Sequence, residues 1–494
     1  MAADETRHDM TQFWESHSKD ATLQEMMLDS NAELLCKEEI PEILELIPSL
    51  EGKTVLELGS GIGRFTSVLA DKAKQVTAVD FMQKFVDKNK ELNGHRGNVE
   101  FLCADVTKLD LPEGKYDLVF SNWLFMYLGD EEVRAVAEKI LSWLKDGCYF
   151  FFRESCFHQS GDKKREANPT KYRDPATYSN LFKSVSVPVP DGTNLFEVIL
   201  SKSIQTYVKL KDNSNQVCWL MHKMHSNTAA AFGHKTFQDF LDNQQYSRNG
   251  ILRYEMIFGR HFVSTGGLET TEEFVKMLDL KPGQRVLDVG AGIGGSAFHM
   301  AEKYGAHVLA VDLSENMIGI GLERANEIRD KRVQFEVADA TKREYPPESF
   351  DVVYSRDTIL HIADKETLFR RLLSFLKPGG KLLISDYCCS DGDHSENFQK
   401  YVAQRGYHLL TPTEYGKLLE KVGFVNVRAE DRTDHFIDVL QRELKRTESI
   451  KDDFIKKFSE EDYNYIVEGW KVKIARCSGT GEQRWGLFYA EKPQ

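Results

Sequence analysis

The feature that most constrains this chain is a glycine-rich stretch that occurs twice. VLDVGAGIGGSAFHMA spans residues 286–301, and an earlier copy, VLELGSGIGRFTSVLA, spans residues 55–70. Each copy has an apolar segment typical of a β-strand, a GxGxG turn and the start of a helix, a geometry that brings backbone N–H groups close to a ligand. A GxGxG turn alone is weak support for a ligand, because two tight turns without one would need the same glycines.

Acidic residues at matching positions in both copies strengthen the case for a ligand. One acid stands just before the first glycine, Glu57 or Asp288. A second acid, Asp80 or Asp312, ends the next predicted strand, where a ribose hydroxyl pair would need a carboxylate acceptor. No GK[ST] ending of a phosphate loop follows the glycines, which disfavours a triphosphate. The pattern therefore predicts two nucleoside sites.

The spacing of these acids indicates a duplicated domain. The offset between the copies is 231 residues for the first acids, 232 for the second acids and 234 for the third acids, Asp105 and Asp339. In each copy, strand-like apolar segments alternate with helical patterns, which is typical of a parallel sheet covered by helices on both faces. We therefore predict two tandem α/β domains, residues 1–225 and 236–494, joined by a linker at residues 226–235.

The segments outside the repeated core suggest further elements. Apolar residues at three- and four-residue spacing predict helices over residues 1 to about 50, interrupted at Pro41, which form either a lid over the ligand or ordinary packing helices. The polar residues 159–191 predict a loop or lid rather than part of the core. We predict one β-hairpin over residues 196–224 and another over residues 470–492.

Composition excludes several classes of function. A net charge of -13 and a pI near 5.6 argue against nucleic acid or an anionic membrane as the main partner. The N-terminus is too polar for a signal peptide, and no stretch approaches the ~18 apolar residues of a membrane span, so we expect a cytoplasmic protein. The eight cysteines show no CxxC or Cys/His ligand spacing, so we expect neither disulfides nor a metal site.

The order of acid, GxGxG, second acid, third acid and a later LKxG turn resembles the class I S-adenosylmethionine-dependent methyltransferases. The resemblance covers most of both copies. It implies Rossmann-like α/β domains, each a mostly parallel seven-stranded sheet with helices on both faces and an N-terminal lid. It also implies S-adenosyl-L-methionine as cofactor: the first acid orients the methionine part, the second takes the ribose hydroxyls and the third reaches the adenine amino group. The implied cofactor-binding residues are Glu57, Gly59, Gly61, Asp80 and Asp105 in the first copy and Asp288, Gly290, Gly292, Asp312 and Asp339 in the second, with Ser264 and Tyr254 near the methionine end.

Five motifs narrow the resemblance further. NQQYSRNGILRYEMIFG, VSTGG, YSRDTILH, SDYC and YVAQRGYH are similar to those of the phosphobase methyltransferases, and the tandem layout resembles the plant-type phosphoethanolamine N-methyltransferases. This resemblance implies three successive methyl transfers from phosphoethanolamine to phosphocholine, the first by the N-terminal domain and the others by the C-terminal domain. It also implies small-molecule phosphobases as partners, and we expect a monomer that binds neither nucleic acid nor membrane.

The resemblance also implies catalytic and substrate-binding residues in the second domain. Methyl transfer is a displacement at the sulfonium methyl, so the amine must arrive unprotonated and in line. Tyr246 and His361 are expected to form a hydrogen-bonded pair over the amine, with Asp357 holding the nitrogen, although a lone histidine is often structural. The resemblance implies that the phosphate end contacts Gln245, Tyr387, Tyr401, Arg405, Tyr407 and Lys473, and that Tyr246 also binds the substrate. The alternative is that the phosphate-end residues form a solvated helix face.

The first domain departs from this pattern. Laying SNWLFMYL over SRDTILHI puts Tyr127 opposite His361 and Trp123 opposite the acid, and an alignment of the lids puts His17 opposite the catalytic tyrosine. Either His17 and Tyr127 act as a pair with exchanged ends, or Trp123 holds the ammonium by cation–π contact and His17 is a surface residue.

Two other functions remain as alternatives. A lipid or sterol methyltransferase would share the same core, but the predicted substrate region offers Tyr, Arg and Lys rather than a broad apolar channel. A protein with one catalytic domain and one cofactor-sensing domain would also fit the duplication. The presence of all three acids in both copies argues against loss of cofactor binding, without proving turnover.

Overall fold

The structure, a computed structural model, describes residues 2–17, 19–162, 169–226 and 236–494, apart from the side chains of residues 2–7 and 17. The chain divides into two compact units, Met1–Asp239 and Phe240–Gln494, which we call the first half and the second half. The predicted linker lies outside the described residues except for Ser226, the last residue of a strand. The exact domain boundaries therefore stay a prediction.

Each half contains one sheet, and the glycine-rich stretch follows its first strand. The strands of the first half are β1 Thr54–Leu58, β2 Gln75–Asp80, β3 Val99–Cys103, β4 Tyr116–Asn122, β5 Leu144–Ser155, β6 Ser186–Val189, β7 Gly192–Ser203 and β8 Gln216–Ser226. Those of the second half are β9 Arg285–Val289, β10 His307–Asp312, β11 Val333–Ala338, β12 Phe350–Arg356, β13 Leu376–Cys389, β14 Val425–Asp431 and β15 Gln483–Glu491.

The strand order is the same in the two halves over the parallel core. The first half has the order β7-β8-β5-β4-β1-β2-β3 and the second half β14-β15-β13-β12-β9-β10-β11. The five strands from β5 to β3, and from β13 to β11, are parallel. The next strand of each half, β8 or β15, runs antiparallel to this core, and the outer strand, β7 or β14, pairs with it in antiparallel orientation. The predicted seven strands are present in the second half, whereas the first half has an eighth, the short β6 beside β7.

Helices connect the parallel strands and form the segments before and after them. In the first half they are α1 Ala2–His17, α2 Leu23–Met27, α3 Ala32–Leu46, α4 Thr66–Lys72, α5 Gln83–Asn93, α6 Asp130–Trp143, α7 Pro175–Lys183 and α8 Gln205–Lys211. From residue 237 onwards they are α9 Phe237–Phe240, α10 Arg248–Phe258, α11 Gly267–Lys276, α12 Gly295–Tyr304, α13 Glu315–Ile328, α14 Lys365–Phe375, α15 Glu396–Arg405, α16 Pro412–Val422, α17 Thr433–Ser449, α18 Lys451–Lys457 and α19 Glu460–Ser478.

Four local predictions were wrong in whole or in part. Residues 470–477 belong to α19, because Tyr463, Ile466, Trp470 and Cys477 form a buried stripe at helical spacing and Ser459 caps the helix. In the hairpin predicted over residues 196–224, β7 and β8 do pair, but α8 lies between them. The predicted loop over residues 159–191 contains α7 and β6. The helix α3 also continues through Pro41 rather than being interrupted there.

Aromatic stacking fixes the antiparallel side of each sheet. Phe152 of β5 stacks on Trp219 of β8 with ring centroids 4.6 Å apart. Tyr415 of α16 stacks on Phe488 of β15 at 3.9 Å. Large buried rings contribute much of the apolar area of a core, so the first contact holds β5 against β8, and the second holds β15, the partner of β13, against α16.

Three observations concern membrane spans, metal sites and disulfides. No helix in the described part of the chain is long and apolar enough to cross a membrane. Among the same residues, no group of three or more His, Cys, Asp or Glu side chains could hold a metal ion. All eight cysteines are free thiols.

A buried charge cluster joins α3 to the glycine-rich turn of the first half. Glu39 of α3 contacts Arg64, which follows the turn, and its other oxygen lies 3.0 Å from Arg153 Nη2 of β5. The side chains of Glu39 and Arg153 are completely buried. Because buried charges are costly unless they are paired, the single carboxylate is what makes the two arginines tolerable at this place.

We expect Glu39→Gln to destabilise the first half by about 3–5 kcal/mol, the usual effect of breaking a buried ion pair. The reason is that two buried guanidinium groups lose the counter-charge that they share. Thermal unfolding followed by circular dichroism would measure the change. The control is Glu91→Gln, which removes an exposed partner of Lys88 at 3.0 Å and should change stability by ~1 kcal/mol or less. Equal melting temperatures for the two variants would contradict the assignment.

Candidate active site

The second acid of each copy holds the glycine-rich turn in place. Asp80 Oδ2 accepts a hydrogen bond from the Gly61 N–H at 2.8 Å. Asp312 Oδ2 accepts one from the Gly292 N–H at 2.9 Å. Both glycines have a positive φ, +54° and +57°, which side chains rarely adopt. The acid and the turn therefore form one unit in each half.

The first acid of each copy is buried beside that unit. Burial raises the pKa of Glu57 to about 8 and that of Asp288 to about 8. Glu57 accepts a 2.5 Å hydrogen bond from Thr66 Oγ1. Among the residues that the structure describes, the buried Asp288 Oδ2 has no hydrogen-bond partner. A buried, unpaired acceptor is costly, so a ligand donor or cation at Asp288 would be stabilising.

The third acids have the same local geometry in both halves. Asp105 Oδ1 accepts from the N–H and the hydroxyl of Thr107 at 2.9 and 2.8 Å. Asp339 Oδ1 accepts from the same groups of Thr341 at 2.9 and 2.6 Å. Each acid therefore stabilises a turn after its strand through one oxygen. A contact to adenine would have to use the other oxygen.

A cavity in the first half brings together three of the five predicted cofactor residues and two residues predicted for the catalytic site. It is lined by Gly59, Asp80 and Asp105 and also by Trp123 and Tyr127. The N-terminal segment also lines it, through Met10, Trp14, Met26, Met27, Leu28 and Asp29. This arrangement favours the interpretation of the N-terminal helices as a lid over the site.

In the second half, the predicted catalytic pair lies in one electrostatic environment. The pKa of Tyr246 is raised well above its usual value by burial and by the negative charge of Asp312. The pKa of His361 is lowered to about 4 by burial and by the positive charges of Lys365 and Arg405. Arg405 acts on both groups, so the tyrosine and the histidine lie near the same guanidinium.

Asp357 follows β12 in a strained, left-handed conformation with φ +50°. Its Oδ1 accepts hydrogen bonds from Trp485 Nε1 at 2.8 Å and from Ser385 Oγ at 3.3 Å. Its buried Oδ2 has no hydrogen-bond partner among the described residues. Burial raises the pKa of this carboxyl. The strained backbone thus presents a buried acid with one oxygen available to a donor.

The residues predicted for the phosphate end form one cluster. The ring of Tyr407 contacts those of Tyr387 and Tyr401, with centroids 6.2 and 5.8 Å away. Lys473 Nζ donates to Tyr387 Oη at 3.2 Å. The phenols of Tyr401 and Tyr407 act on the pKa of Arg405, so this guanidinium lies in the same cluster. Three hydroxyls and two cations in one place can bind an anion.

The remaining predicted residues lie around this cluster. Gln245 Nε2 donates to Tyr246 Oη at 3.4 Å. Ser264 lies in the loop before α11, next to a Gly266 N–H that donates to Glu443 Oε1 at 2.6 Å. Tyr254 affects the pKa of Tyr246 and of Arg405, so it lies near these two predicted substrate-binding residues.

Sequence reasoning missed residues that complete this site. The Arg476 guanidinium lies 3.6 Å above the ring of Tyr401, and Trp485 holds Asp357. Both are in the C-terminal segment. Residues 470–477 were predicted as one strand of a hairpin, so the helix that carries Arg476 was not predicted. A correct assignment of α19 from its buried stripe would have put Lys473 and Arg476 on one element, three residues apart.

In both halves a tryptophan N–H donates to a side-chain oxygen, but the positions of the tryptophan and of its acceptor are exchanged between the halves. Trp123 occupies the position of Asp357 and has a similar φ of +58°. Its Nε1 donates to Gln216 Oε1 at 2.7 Å. The strand register pairs Ser155 with Gln216 as it pairs Tyr387 with Trp485. An indole therefore donates to a side-chain oxygen in both halves, but the first half has a neutral amide where the second has a carboxylate.

The alternative role predicted for Trp123 is limited by its neighbours. The Arg153 guanidinium lies 3.7 Å from the centroid of its ring, and Arg64 lies 5.1 Å away. Two cations already occupy the surroundings of this indole, which disfavours it as the holder of a third. Tyr127 is buried, lines the cavity and contacts Trp14 with ring centroids 5.8 Å apart. The side chain of His17 lies outside the described residues.

Comparisons with known proteins identify the family. Models of a methyltransferase domain match residues 55–147 and residues 280–423. Phosphoethanolamine N-methyltransferase 1 of Arabidopsis thaliana is 55% identical over 493 residues, 99% of each chain. The enzyme of the same name from Zea mays is 55% identical, over 97% of this chain and 95% of that one. This chain belongs to the phosphoethanolamine N-methyltransferase family.

Solved structures of the family agree with the tandem fold. Phosphoethanolamine N-methyltransferase 2 of Haemonchus contortus, solved with phosphomonomethylethanolamine and S-adenosylhomocysteine, is 30% identical with a TM-score of 0.76, over 93% of this chain and 99% of that one. Phosphoethanolamine N-methyltransferase 1 of the same organism, solved with phosphoethanolamine and S-adenosylhomocysteine, is 25% identical with a TM-score of 0.72, over 99% and 98% of the two chains. The predicted fold class, family and enzyme class are therefore confirmed.

Proposed function

We propose that this phosphoethanolamine N-methyltransferase converts phosphoethanolamine stepwise to phosphocholine, with the first methyl transfer in the first half and the later two in the second half. The observation that carries the proposal is the second-half cluster, in which Arg405 and Lys473 can bind a phosphate near an Asp357 carboxylate that can hold an amine. A phosphobase has an anionic end and a cationic end, and this cluster complements both.

The cofactor fits the residues present in both halves. S-adenosyl-L-methionine, when bound, supplies an electrophilic methyl group on its sulfonium sulfur. Asp288 Oδ2, which has no hydrogen-bond partner in the described part of the chain, and the glycine turns held by acids suit its charges and hydroxyls. We propose that the residues that hold it are Glu57, Gly59, Gly61, Asp80 and Asp105 in the first half, and Asp288, Gly290, Gly292, Asp312, Asp339 and Ser264 in the second.

The second half has groups suited to removing the proton from the amine. In our proposal, Asp357 Oδ2 accepts a hydrogen bond from the substrate nitrogen and fixes it in line with the methyl group. His361, with its pKa lowered to about 4, is neutral near pH 7 and can accept a proton. Tyr246, whose pKa is raised, stays protonated and can relay that proton between nitrogen and imidazole.

The proposed division of steps is supported by the contrast between the two halves. An acid stands after the fourth strand only in the second half, where Asp357 could hold a partly methylated amine through its remaining N–H. In the first half the same position is Trp123, flanked by Arg153. Different walls suit different methylation states of the amine. The wall of the first half would not favour a charged ammonium and suits a neutral primary amine.

The assembly and location of the protein are also part of the proposal. We propose a monomeric, cytoplasmic enzyme with no nucleic acid or membrane partner, consistent with its net charge of -13. Light scattering of the purified full chain would test the monomer, and a dimer mass would contradict it. Fluorescence microscopy of a tagged full chain would test the location.

The division of steps predicts a separable cofactor site in each half. Asp288→Asn should leave the first transfer intact and accumulate phosphomonomethylethanolamine from phosphoethanolamine. The matched variant Glu57→Gln should lose that step and still methylate added phosphomonomethylethanolamine. Mass spectrometry of the products would measure both. If Asp288→Asn formed phosphocholine at the wild-type rate, the division would be wrong.

The phosphate role predicts a selective effect of Arg405→Ala. The KM of the second half for phosphomonomethylethanolamine should rise by about 10- to 100-fold, as expected for losing a charge-assisted hydrogen bond worth about 1.5–3 kcal/mol. Cofactor affinity should not change. Arg442→Ala, which removes an exposed arginine paired with Glu269 at 2.9 Å, is the control. Loss of cofactor affinity with normal phosphobase affinity would place Arg405 outside the substrate site.

The proposed pair of the first half predicts non-additive kinetics. His17 ends α1 and Tyr127 lines the cavity, so the lid could bring the two side chains together. If they act as one unit, His17→Ala and Tyr127→Phe should each lower kcat on phosphoethanolamine, and the double variant should lose little more than the stronger single one. Losses that multiply would show that the two residues act independently. A normal His17→Ala variant would return His17 to the surface.

A further inference from the structure

A short 3₁₀ turn, Ile359–His361, ends in the proposed catalytic histidine, and its backbone is held by two buried charges. Lys365 Nζ donates to the Ile359 and Ile362 carbonyls at 2.7 and 2.8 Å. Asp386 Oδ1 accepts from the Leu360 N–H at 3.2 Å. Neither charged side chain is more than 4% exposed.

The first half holds the equivalent turn, Phe125–Tyr127, in the same way. Arg173 Nη1 and Nη2 donate to the Phe125 and Leu128 carbonyls at 2.9 and 2.6 Å. Glu154 accepts from three consecutive N–H groups, those of Leu124, Phe125 and Met126, at 3.0, 2.8 and 3.2 Å. Both charges are again buried.

The two cations come from unrelated positions in the chain. Lys365 begins α14, four residues after its turn ends, whereas Arg173 lies in the loop before α7, 46 residues after its turn. The two carboxylates, by contrast, occupy equivalent positions one residue before the partners of Gln216 and Trp485. The same pair of carbonyls is thus held by two independent solutions.

Each turn also has a third backbone contact, at equivalent carbonyls in the two halves. The Leu360 carbonyl accepts from the His408 N–H at 2.7 Å, and the Met126 carbonyl accepts from the Lys171 N–H at 2.7 Å. In the second half this contact holds the neighbouring Tyr407 beside the turn, with its ring 5.1 Å from that of His361. These backbone contacts therefore connect the turn that ends in His361 to the proposed phosphate cluster.

We propose that Asp386 with Lys365, and Glu154 with Arg173, are positioning residues that fix the orientation of His361 and Tyr127 toward the methyl acceptor. Burying two charges to hold one turn is an expensive way to gain stability. A misplacement of about 1 Å of a reacting group can cost on the order of 100-fold in rate, so a rigid turn has a catalytic advantage.

Lys365 also acts on His361 electrically. The pKa of His361 is lowered first by burial, then by Lys365, Arg405 and His408, while the Gly406 backbone bond raises it. Removing the charge of Lys365 should therefore raise the pKa of His361. The pH profile of kcat/KM is therefore a measurement that the loss of a lysine with a purely structural role would not change.

The test uses the full-length enzyme with phosphomonomethylethanolamine as the acceptor. Asp386→Asn and Lys365→Met should each lower kcat by up to about 100-fold with an unchanged KM for S-adenosyl-L-methionine. Lys365→Met should also move the acidic limb of the kcat/KM profile to higher pH. Lys365→Arg should restore both, because Arg173 performs the same task in the first half. In that half, Arg173→Lys should likewise keep activity on phosphoethanolamine and Arg173→Met should lose it.

The control is Lys381→Met, since Lys381 Nζ also donates to a carbonyl, that of Leu278 at 2.7 Å, away from the turn. It should change neither kcat nor the pH profile. The inference rests on the proposed methylation: a wild-type enzyme without activity on phosphobases would overturn that proposal itself. A normal kcat and an unmoved profile in Lys365→Met would overturn the positioning role alone. If Lys365→Met does not fold, Asp386→Asn decides, and a parallel loss of cofactor affinity there would also overturn it.

Discussion

The structure depends on one interaction that occurs twice, the hydrogen bond from a glycine N–H to the acid at the end of the next strand. In the first half this is Gly61 to Asp80, and in the second Gly292 to Asp312. It joins the turn after the first strand to the end of the second strand, at the carboxyl edge of a parallel sheet, where open α/β sheets bind ligands. Every proposed cofactor contact is positioned relative to this bond. In this position the acid is buried, and burial raises the pKa of Asp80 to about 6.

The sequence predicted the parts of each half that depend on local pattern and spacing. The strands before and after the glycines, the three acids and the alignment of Trp123 with Asp357 all follow from order along the chain. The shared left-handed conformation of the last two residues supports that alignment. Such features are encoded by neighbours in sequence, so a single chain without relatives is enough to find them.

The rest depends on contacts between distant residues. Gln216 and Trp485 matter because the antiparallel register sets each beside a residue of β5 or β13, and register cannot be seen in a strand alone. Residues 470–477 alternate apolar and basic side chains, as a strand would, but tertiary burial of Trp470 and Cys477 selects the helix. Arg173 is hidden for a similar reason, since its partners precede it by more than 40 residues. Long-range burial, rather than propensity, decides these elements.

The two carboxylates that hold the turns show how a duplicated site can change one part while keeping another. Glu154 has one methylene more than Asp386 and reaches three N–H groups, whereas Asp386 reaches one and uses its other oxygen to accept from Tyr415 Oη at 3.3 Å. Burial raises the pKa of Glu154 to about 7 and that of Asp386 to about 8, and hydrogen bonds to each carboxylate oppose this shift because they favour its charged form. The first half thus stabilises the charge mainly with the backbone of the turn itself, and the second half with a side chain of α16 as well. The second half takes its cation from α14, next to the histidine, where the charge of Lys365 adds to burial in lowering the pKa of the imidazole. The placement of Lys365 therefore links the shape of the turn to the protonation state that a proton acceptor needs, a link that the tyrosine of the first half does not require.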